Sequence, residues 1–325
     1  MALSLIQRLR FSPWFTQLVV IRKCNLHCGY CNEYDRHSPP VPLDVLKDRA
    51  AKLKALGAFS ICFTGGEPTL HPDLPELIRY ARHDLRFFRT SIITNGTYLT
   101  GQLVEGLNAA GLQAMQISID GVKQNDTTVK VLDTLRKRLE TLRTLAKFRV
   151  VVSGVVGACP AEETYEVIDY AKRMGFRPRV LLIHDARGQV KLSPEQMTVY
   201  NRIQKLIGRH LFELSDYRHR IITNGSAPFK CRAGSRYLYV DENGIVLWCS
   251  QTRKWFQKPL TEYTEEDLRQ QFYTYKSCHA HCTLGCVRSA SSVDNWRSQE
   301  RPRRAAAADS ALQGKRASVT VNPHG

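Results

Sequence analysis

The sequence predicts an α/β protein, a partial (β/α)6 TIM-like barrel followed by a small C-terminal α+β module. Three observations carry this. From about residue 17 to 210, short β-rich runs alternate with amphipathic segments, the pattern of parallel βα units. The amphipathic segments place apolar residues three and four apart, one stripe to lay against a sheet. After residue 210 the alternation gives way to a strand, turn, strand pattern and a last helix. With 325 residues, 43% of them hydrophobic, the chain can fill one large domain and a smaller module.

Taken in order, strands are expected at 17–22, 59–64, 89–94, 114–119, 149–156 and 179–183. The clearest helical stripe is Val129, Leu132, Leu135, Leu139, Leu142 and Leu145. A further helix is expected over 194–212. Then come strands at 237–240 and 245–248, whose connection Asp241, Glu242, Asn243 and Gly244 reads as a hairpin turn. A helix over 265–275 would start behind Thr264 as its cap. From residue 289 periodicity is lost and basic, alanine-rich and polar stretches suggest a disordered tail. The expected division is therefore 1–210, 211–288 and a basic tail over 289–325. There is no internal repeat. In parallel βα folds the loops leaving the C-terminal strand ends carry the chemistry, which singles out the segments after each strand.

Composition excludes some classes. No stretch approaches the roughly 20 apolar residues of a spanning helix, and the first residues lack a secretory cleavage pattern, so a cytoplasmic protein is expected. The formal net charge of +17 favours acidic partners, but much of it lies on helix faces such as Arg136, Lys137, Arg138 and Arg143. Basic residues are not interleaved with aromatics as in single-strand binders, so nucleic acid is not favoured.

Ten cysteines without an export signal point away from structural disulfides. Eight fall into spaced groups that suggest metal: Cys24, Cys28 and Cys31, then Cys231 and Cys249 followed by Cys278, Cys282 and Cys286. Cys62 sits in an apolar run as a small hydrophobe, and Cys159 precedes Pro160 in a loop.

Cys24, Cys28 and Cys31 follow directly on the first strand. Three thiolates on so short a loop can hold three irons of a cubane and leave the fourth iron open. Structural zinc prefers four closed ligands, and no fourth follows at finger spacing. This C-x3-C-x2-C spacing, with the aromatic Tyr30 before the third cysteine, resembles the radical S-adenosylmethionine (SAM) superfamily. The resemblance implies a [4Fe–4S] cluster whose open iron binds SAM, an electron donor such as flavodoxin or ferredoxin, and a 5′-deoxyadenosyl radical that abstracts a substrate hydrogen. Thr64, Gly65, Gly66, Glu67 and Pro68 at the end of the second strand resemble the family's GGEP element, which binds the SAM amino group. Glycines there admit close backbone approach, and a carboxylate can receive an ammonium. Asn95 after the third strand and Ser118 and Asp120 after the fourth have polar side chains expected at the mouth. The resemblance puts Ser118 and Asp120 near the SAM ribose and carboxylate; ordinary turn chemistry is the alternative for Asn95 and Asp120. Gly154 and Gly157 resemble an adenine-contacting region.

Cys231 and Cys249 flank the hairpin, which would bring them to one end. With Gly244 between them as C-x12-G-x4-C, and the late set Cys278, Cys282 and Cys286, they resemble the SPASM/twitch extension of radical SAM enzymes. That implies one auxiliary [4Fe–4S] cluster held by Cys231, Cys249 and two of the late three, with Cys282 and Cys286 preferred. Zinc, helped by His279 and His281, is the alternative. The expected activity is that of a radical SAM oxidoreductase or maturase oxidising or cross-linking a peptide or small metabolite, although no peptide-recognition domain is evident before residue 17. Modification of RNA or an anionic lipid precursor is a second reading, and a non-catalytic iron–sulfur or zinc protein a third. His184, Asp185, Ala186 and Arg187 after the sixth strand are the candidate substrate contacts.

Overall fold

The computed structural model describes residues 10–183, 190–208, 217–227 and 229–291. Its centre is a mostly parallel sheet. Strands β1 (Phe15–Ile21), β2 (Ser60–Gly65), β3 (Arg89–Thr94), β4 (Ala114–Ser118), β5 (Arg149–Val156) and β6 (Arg177–Leu182) lie side by side in chain order. The order follows from right-handed βα crossovers, each returning the chain one place further along the sheet. The crossover helices are α1 (Leu43–Ala55), α2 (Leu74–Arg79), α3 (Gly101–Ala109), α4 (Leu132–Leu145) and α5 (Ala161–Arg173). After β6 come α6 (Pro194–Ile207) and α7 (Tyr217–Asn224). The expected helix over 194–212 thus ends at Ile207, followed by Gly208 in the left-handed region at φ 77°.

Alternation along each strand divides two faces. Ile61 and Phe63 of β2 and Met115 and Ile117 of β4 pack outward among Leu46, Leu53, Leu135 and Leu139 of the helices. The stripe on α4 begins at Leu132, with Leu132, Leu135, Leu139 and Leu142 all at most 2% exposed. Each such side chain contributes roughly 2 kcal/mol relative to leaving it in water. Val129 lies before the helix, in the loop that joins β4 to it. The inner face carries polar groups instead: the Cys62 thiol lies against Gln17 and Ser91, and Arg179 Nη1 donates to Gln116 Oε1 at 2.9 Å.

The hairpin forms as expected from β7 (Tyr237–Val240) and β8 (Ile245–Leu247), with β9 (Lys258–Pro259) beyond. Asp241 Oδ1 accepts from the backbone N–H groups of Asn243 and Ile245, and Gly244 takes φ +80°. The hairpin does not make a sheet of its own. β7 pairs in parallel with β1, so the order is β6-β5-β4-β3-β2-β1-β7-β8-β9 and the barrel stays open. Helix α8 (Glu265–Tyr273) starts with the expected cap: Thr264 and Asp267 form a capping box, and Lys258 holds Asp267 at 2.8 Å. Helix α9 (Gly285–Ser291) runs past residue 289, where the tail was expected to begin. Ala290 and Ser291 are buried there, and Ser291 accepts from the Arg232 N–H at 3.0 Å. The rest of that tail, 292–325, and the expected contacts His184, Asp185, Ala186 and Arg187 lie outside the described residues. No helix among the described residues is long and apolar enough to cross a membrane.

Candidate active site and cysteine centres

The loop after β1 is tied down at both ends. Cys24 N donates to Asp35 O at 2.9 Å, Asp35 N donates to Arg22 O at 3.1 Å, and Gly29 N reaches across to Thr127 O at 2.9 Å. Beside it, β2 ends against the backbone of β1. A Cβ on Gly65 would stand 2.0 Å from Ile21 O, and one on Gly66 would stand 2.3 Å from Arg22 O, so only glycine lets the two strand ends touch. Gly66 N and Glu67 N use that closeness to donate to Ile21 O and Lys23 O.

Cys24, Cys28 and Cys31 open onto a cavity of about 170 Å³ at the C-terminal ends of β1 to β4. Its remaining walls include Gly65, Gly66, Asn95, Ser118 and Lys130. Burial pushes the Cys24 thiol up to about 11 and raises that of Cys31. Asn95 Nδ2 lies 3.7 Å from Cys24 Sγ and donates to Asn25 Oδ1 at 2.9 Å.

Four of the expected binding residues stand behind these walls. Pro68 is buried and opens a short 3-10 turn capped by Glu67. Glu67 is fully buried and off the cavity wall. Its carboxylate accepts from Thr69 N at 3.0 Å, Thr69 Oγ1 at 2.5 Å, Thr94 Oγ1 at 2.6 Å and Asn95 N at 2.7 Å. These bonds join β2 to the end of β3 through the carboxylate that was expected to receive a ligand ammonium. Replacing Glu67 with Ala should cost about 3 kcal/mol or more of stability, because it strands a buried N–H and a buried hydroxyl and leaves a cavity. Chemical denaturation checks this, with Glu67→Gln expected to lose less; equal stability of all three proteins would refute the joining role.

Tyr30 and Asp120 form a second support. Tyr30 Oη donates to Asp120 Oδ2 at 2.6 Å, as does Thr128 Oγ1 at 2.7 Å, and the Lys130 ammonium lies 3.5 Å from the same oxygen and over the Tyr30 ring. Burial alone would push the Lys130 ammonium down, but Asp120, Tyr30 and Cys28 hold it above its ordinary value and charged. Asp120 thus locks the cysteine loop to the β4 exit, and Lys130 is the charge that reaches the cavity. Lys130 is a residue that sequence reasoning missed. The signal was the loop before Leu132, hidden by counting Val129 into the helical stripe.

The later cysteines surround a separate core of Phe229, Tyr237, Tyr239, Leu247 and Trp248. Cys231, Cys249, Cys278 and Cys282 are mutual neighbours: every pair among them interacts electrostatically. Burial pushes Cys278 up to about 12 and raises the other three. Lys276, itself buried, lies beside Cys231 and Cys278 and donates to Gln271 O and Thr274 O. Cys286 does not join this group. It faces Arg179, Tyr237 and Cys62, because the start of α9 turns its side chain toward the inner face of the sheet, whereas Cys278, not preferred from the sequence, stands with the other three. Among the described residues no three Cys, His, Asp or Glu side chains converge as the ligands of a single ion do, and a cubane, with its cysteines on separate corners, needs no such convergence.

A bridge links the two centres. Glu33, two residues after Cys31, accepts from Tyr239 Oη and from Arg253, which holds Glu242 at 2.8 Å through both oxygens.

The model of the radical SAM superfamily matches residues 18–197, more than half of the chain. The chain belongs to the radical SAM superfamily. It is 37% identical over 116 residues to a GTP 3′,8-cyclase of Chlorobaculum tepidum, covering 35% of each chain. It is 33% identical over 136 residues to a PqqA peptide cyclase of Bradyrhizobium diazoefficiens, covering 40% of this chain and 35% of the relative. The match thus spans about a third of these relatives. Among solved structures, Streptococcus suis SuiB superposes with a TM-score of 0.59 at 18% identity, over 80% of this chain and 65% of that one. As a radical SAM protein the chain is an enzyme of that superfamily, with a [4Fe–4S] cluster and SAM as the cofactors the family implies.

Proposed function

We propose that this radical SAM enzyme is an oxidoreductase or maturase acting on a peptide or small metabolite. Cys24, Cys28 and Cys31 hold its SAM-binding cluster, and Cys231, Cys249, Cys278 and Cys282 hold an auxiliary [4Fe–4S] cluster. Residues 1–210 are then the catalytic core and 211–288 the auxiliary module. The observation that carries the reading is the shared cavity: three thiols from the loop after β1 face Gly65, Gly66, Asn95, Ser118 and Lys130 from the ends of β2, β3 and β4. The donor set fits the group, since three thiolates leave one iron of a cubane open.

When bound, cluster and SAM supply a 5′-deoxyadenosyl radical for hydrogen abstraction. The chain's own residues position and tune. The Lys130 ammonium offers the carboxylate of SAM a charge-assisted partner, and the backbone at Gly65 and Gly66 admits its amino group closely. The Asn95 amide beside Cys24 Sγ tunes the cluster, because hydrogen bonds to ligand sulfur shift its potential. A flavodoxin or ferredoxin would deliver the electron. The PqqA peptide cyclase among the relatives supports a peptide substrate, and the GTP cyclase keeps small molecules in view.

The test is anaerobic reconstitution followed by reduction with dithionite. The expected products are 5′-deoxyadenosine and methionine, formed slowly alone and faster with substrate, with Lys130→Ala weakening SAM binding by roughly tenfold, about 1.4 kcal/mol. Fully iron-loaded protein that yields no 5′-deoxyadenosine with any reductant would sink the reading.

A further inference from the structure

A lysine is buried among the later thiols. Lys276 stands between the end of α8 and Cys278, and its side chain is almost wholly enclosed, with 2% of the residue exposed. The ammonium donates to Gln271 O in the last turn of α8 and to Thr274 O just beyond it, where the final carbonyls of a helix carry negative partial charge. It lies 5.5 Å from the centre of the Trp248 ring, whose Nε1 is held by Gln271 Oε1 at 2.8 Å. The thiols of Cys231 and Cys278 are its other neighbours, and its charge acts on both. The backbone is pinned as well, since Lys276 O accepts from His279 N at 3.0 Å and from His279 Nδ1 at 2.9 Å. Arg232, buried next to Cys231, sends Nη1 to Phe272 O in the same turn of α8, so two cations are fixed between the end of that helix and Cys231.

Capping α8 does not explain this burial. A lysine can bond the last carbonyls of a helix from the surface with its ammonium still in water, whereas taking the ammonium out of water is costly unless an opposite charge answers it. Among the described residues no carboxylate pairs with Lys276; the side chains acting on its charge are Cys231, Cys278 and, unfavourably, Arg232. Four thiolates around a cubane give the centre a net negative charge, and reduction adds one more. A cation fixed in a poorly screened interior stabilises the reduced form more than the oxidised one.

We propose that Lys276 is the counter-charge of the auxiliary cluster and raises the potential at which that cluster accepts one electron. The inference rests on the reading of Cys231, Cys249, Cys278 and Cys282 as the ligands of that cluster. It makes the centre an electron acceptor. Lys276 is a positioning residue in this role: it ligates no iron, and it acts through the charge it sets beside Cys231 and Cys278.

The test is a redox titration with dithionite, followed by electron paramagnetic resonance, on the full-length chain carrying Cys24→Ala, Cys28→Ala and Cys31→Ala, which isolates the auxiliary signal. Lys276→Gln, whose amide can still donate to the α8 carbonyls, should keep about four irons per chain and shift the one-electron equilibrium at least tenfold toward the oxidised form, a potential lower by about 59 mV. Lys276→Met should lower it as much or more, and Lys276→Arg, which restores the charge, should lower it less than either. Arg269→Gln, which removes a charge from the exposed face of α8, should leave the potential unchanged. Iron retained at an unchanged potential in Lys276→Gln and Lys276→Met, or an equal shift in Arg269→Gln, overturns the role of Lys276 while the auxiliary cluster stands. Zinc, or no iron, in the parent chain overturns the cluster reading and the role of Lys276 with it. Loss of iron in both neutral variants with retention in Lys276→Arg shows that the cluster needs the charge itself and supports the proposal. Loss of iron in all three shows that Lys276 serves the fold of the module, and the proposal falls.

Discussion

Changing Cys24, Cys28 and Cys31 together to Ala is expected to lower the iron of the reconstituted protein from about eight to about four per chain and to abolish 5′-deoxyadenosine formation. The two effects have separate causes. Iron falls by one cubane because these thiols are the proposed ligands on the loop after β1, while the four thiols grouped around Cys231 sit in another core. Cleavage disappears because three protein ligands leave an iron open to SAM, whereas four close the cluster. The loop itself should survive, since its backbone ties to Asp35, Arg22 and Thr127 and the Glu33 bridge to Arg253 do not involve sulfur. Iron and acid-labile sulfide analysis with product chromatography checks this. A triple variant that still cleaves SAM would show that the open iron lies elsewhere, and one that loses all its iron would show that the second centre depends on the first.

Much of this architecture is legible in the chain. Strands β3 and β5 begin and end where alternation and flanking turns predict, and the α4 stripe from Leu132 to Leu142 is the helix face that packs. The hairpin turn at Asp241 and Gly244 is legible because left-handed backbone there demands glycine and the aspartate closes the turn on itself. Pairing is less so. Nothing local to β7 says that it adds in parallel to β1, because that contact joins segments more than 200 residues apart. The site shows the same division. The spacing of Cys24, Cys28 and Cys31 and the glycines at 65 and 66 are local signals. The roles of Glu67 and Asp120 depend on which distant donors reach each carboxylate. Glu67 meets Thr94 and Asn95 at the end of β3, and Asp120 meets Tyr30 of the cysteine loop, so each supports the wall from behind.

Cys282→Ala and Cys286→Ala should behave differently, although the two cysteines are four residues apart. Cys282 interacts with Cys231, Cys249 and Cys278, so losing it removes one corner of a four-thiol set. Iron should fall from about eight to about four, with slow uncoupled SAM cleavage retained and substrate turnover lost. Cys278→Ala should do the same, since its thiol is coupled to Cys231. Cys286 lies on the first turn of α9 and faces Arg179 and Tyr237 at the inner sheet face, so Cys286→Ala should keep about eight irons and its turnover. Conservative replacement by Ser at Cys282 should not rescue, because a hydroxyl is a poor substitute for a thiolate on a soft metal centre. Metal analysis of the four proteins, each prepared identically, separates the readings. If Cys286→Ala loses the iron and Cys278→Ala keeps it, the ligand set is Cys231, Cys249, Cys282 and Cys286, and the side chain of Cys286 must swing away from Tyr237 when the cluster assembles. If the unsubstituted protein carries about four irons and one zinc, and the Cys282 and Cys278 variants lose the zinc, the centre around Cys231 is a zinc site, and turnover in the Cys282 variant then reports on folding of the module and not on electron transfer.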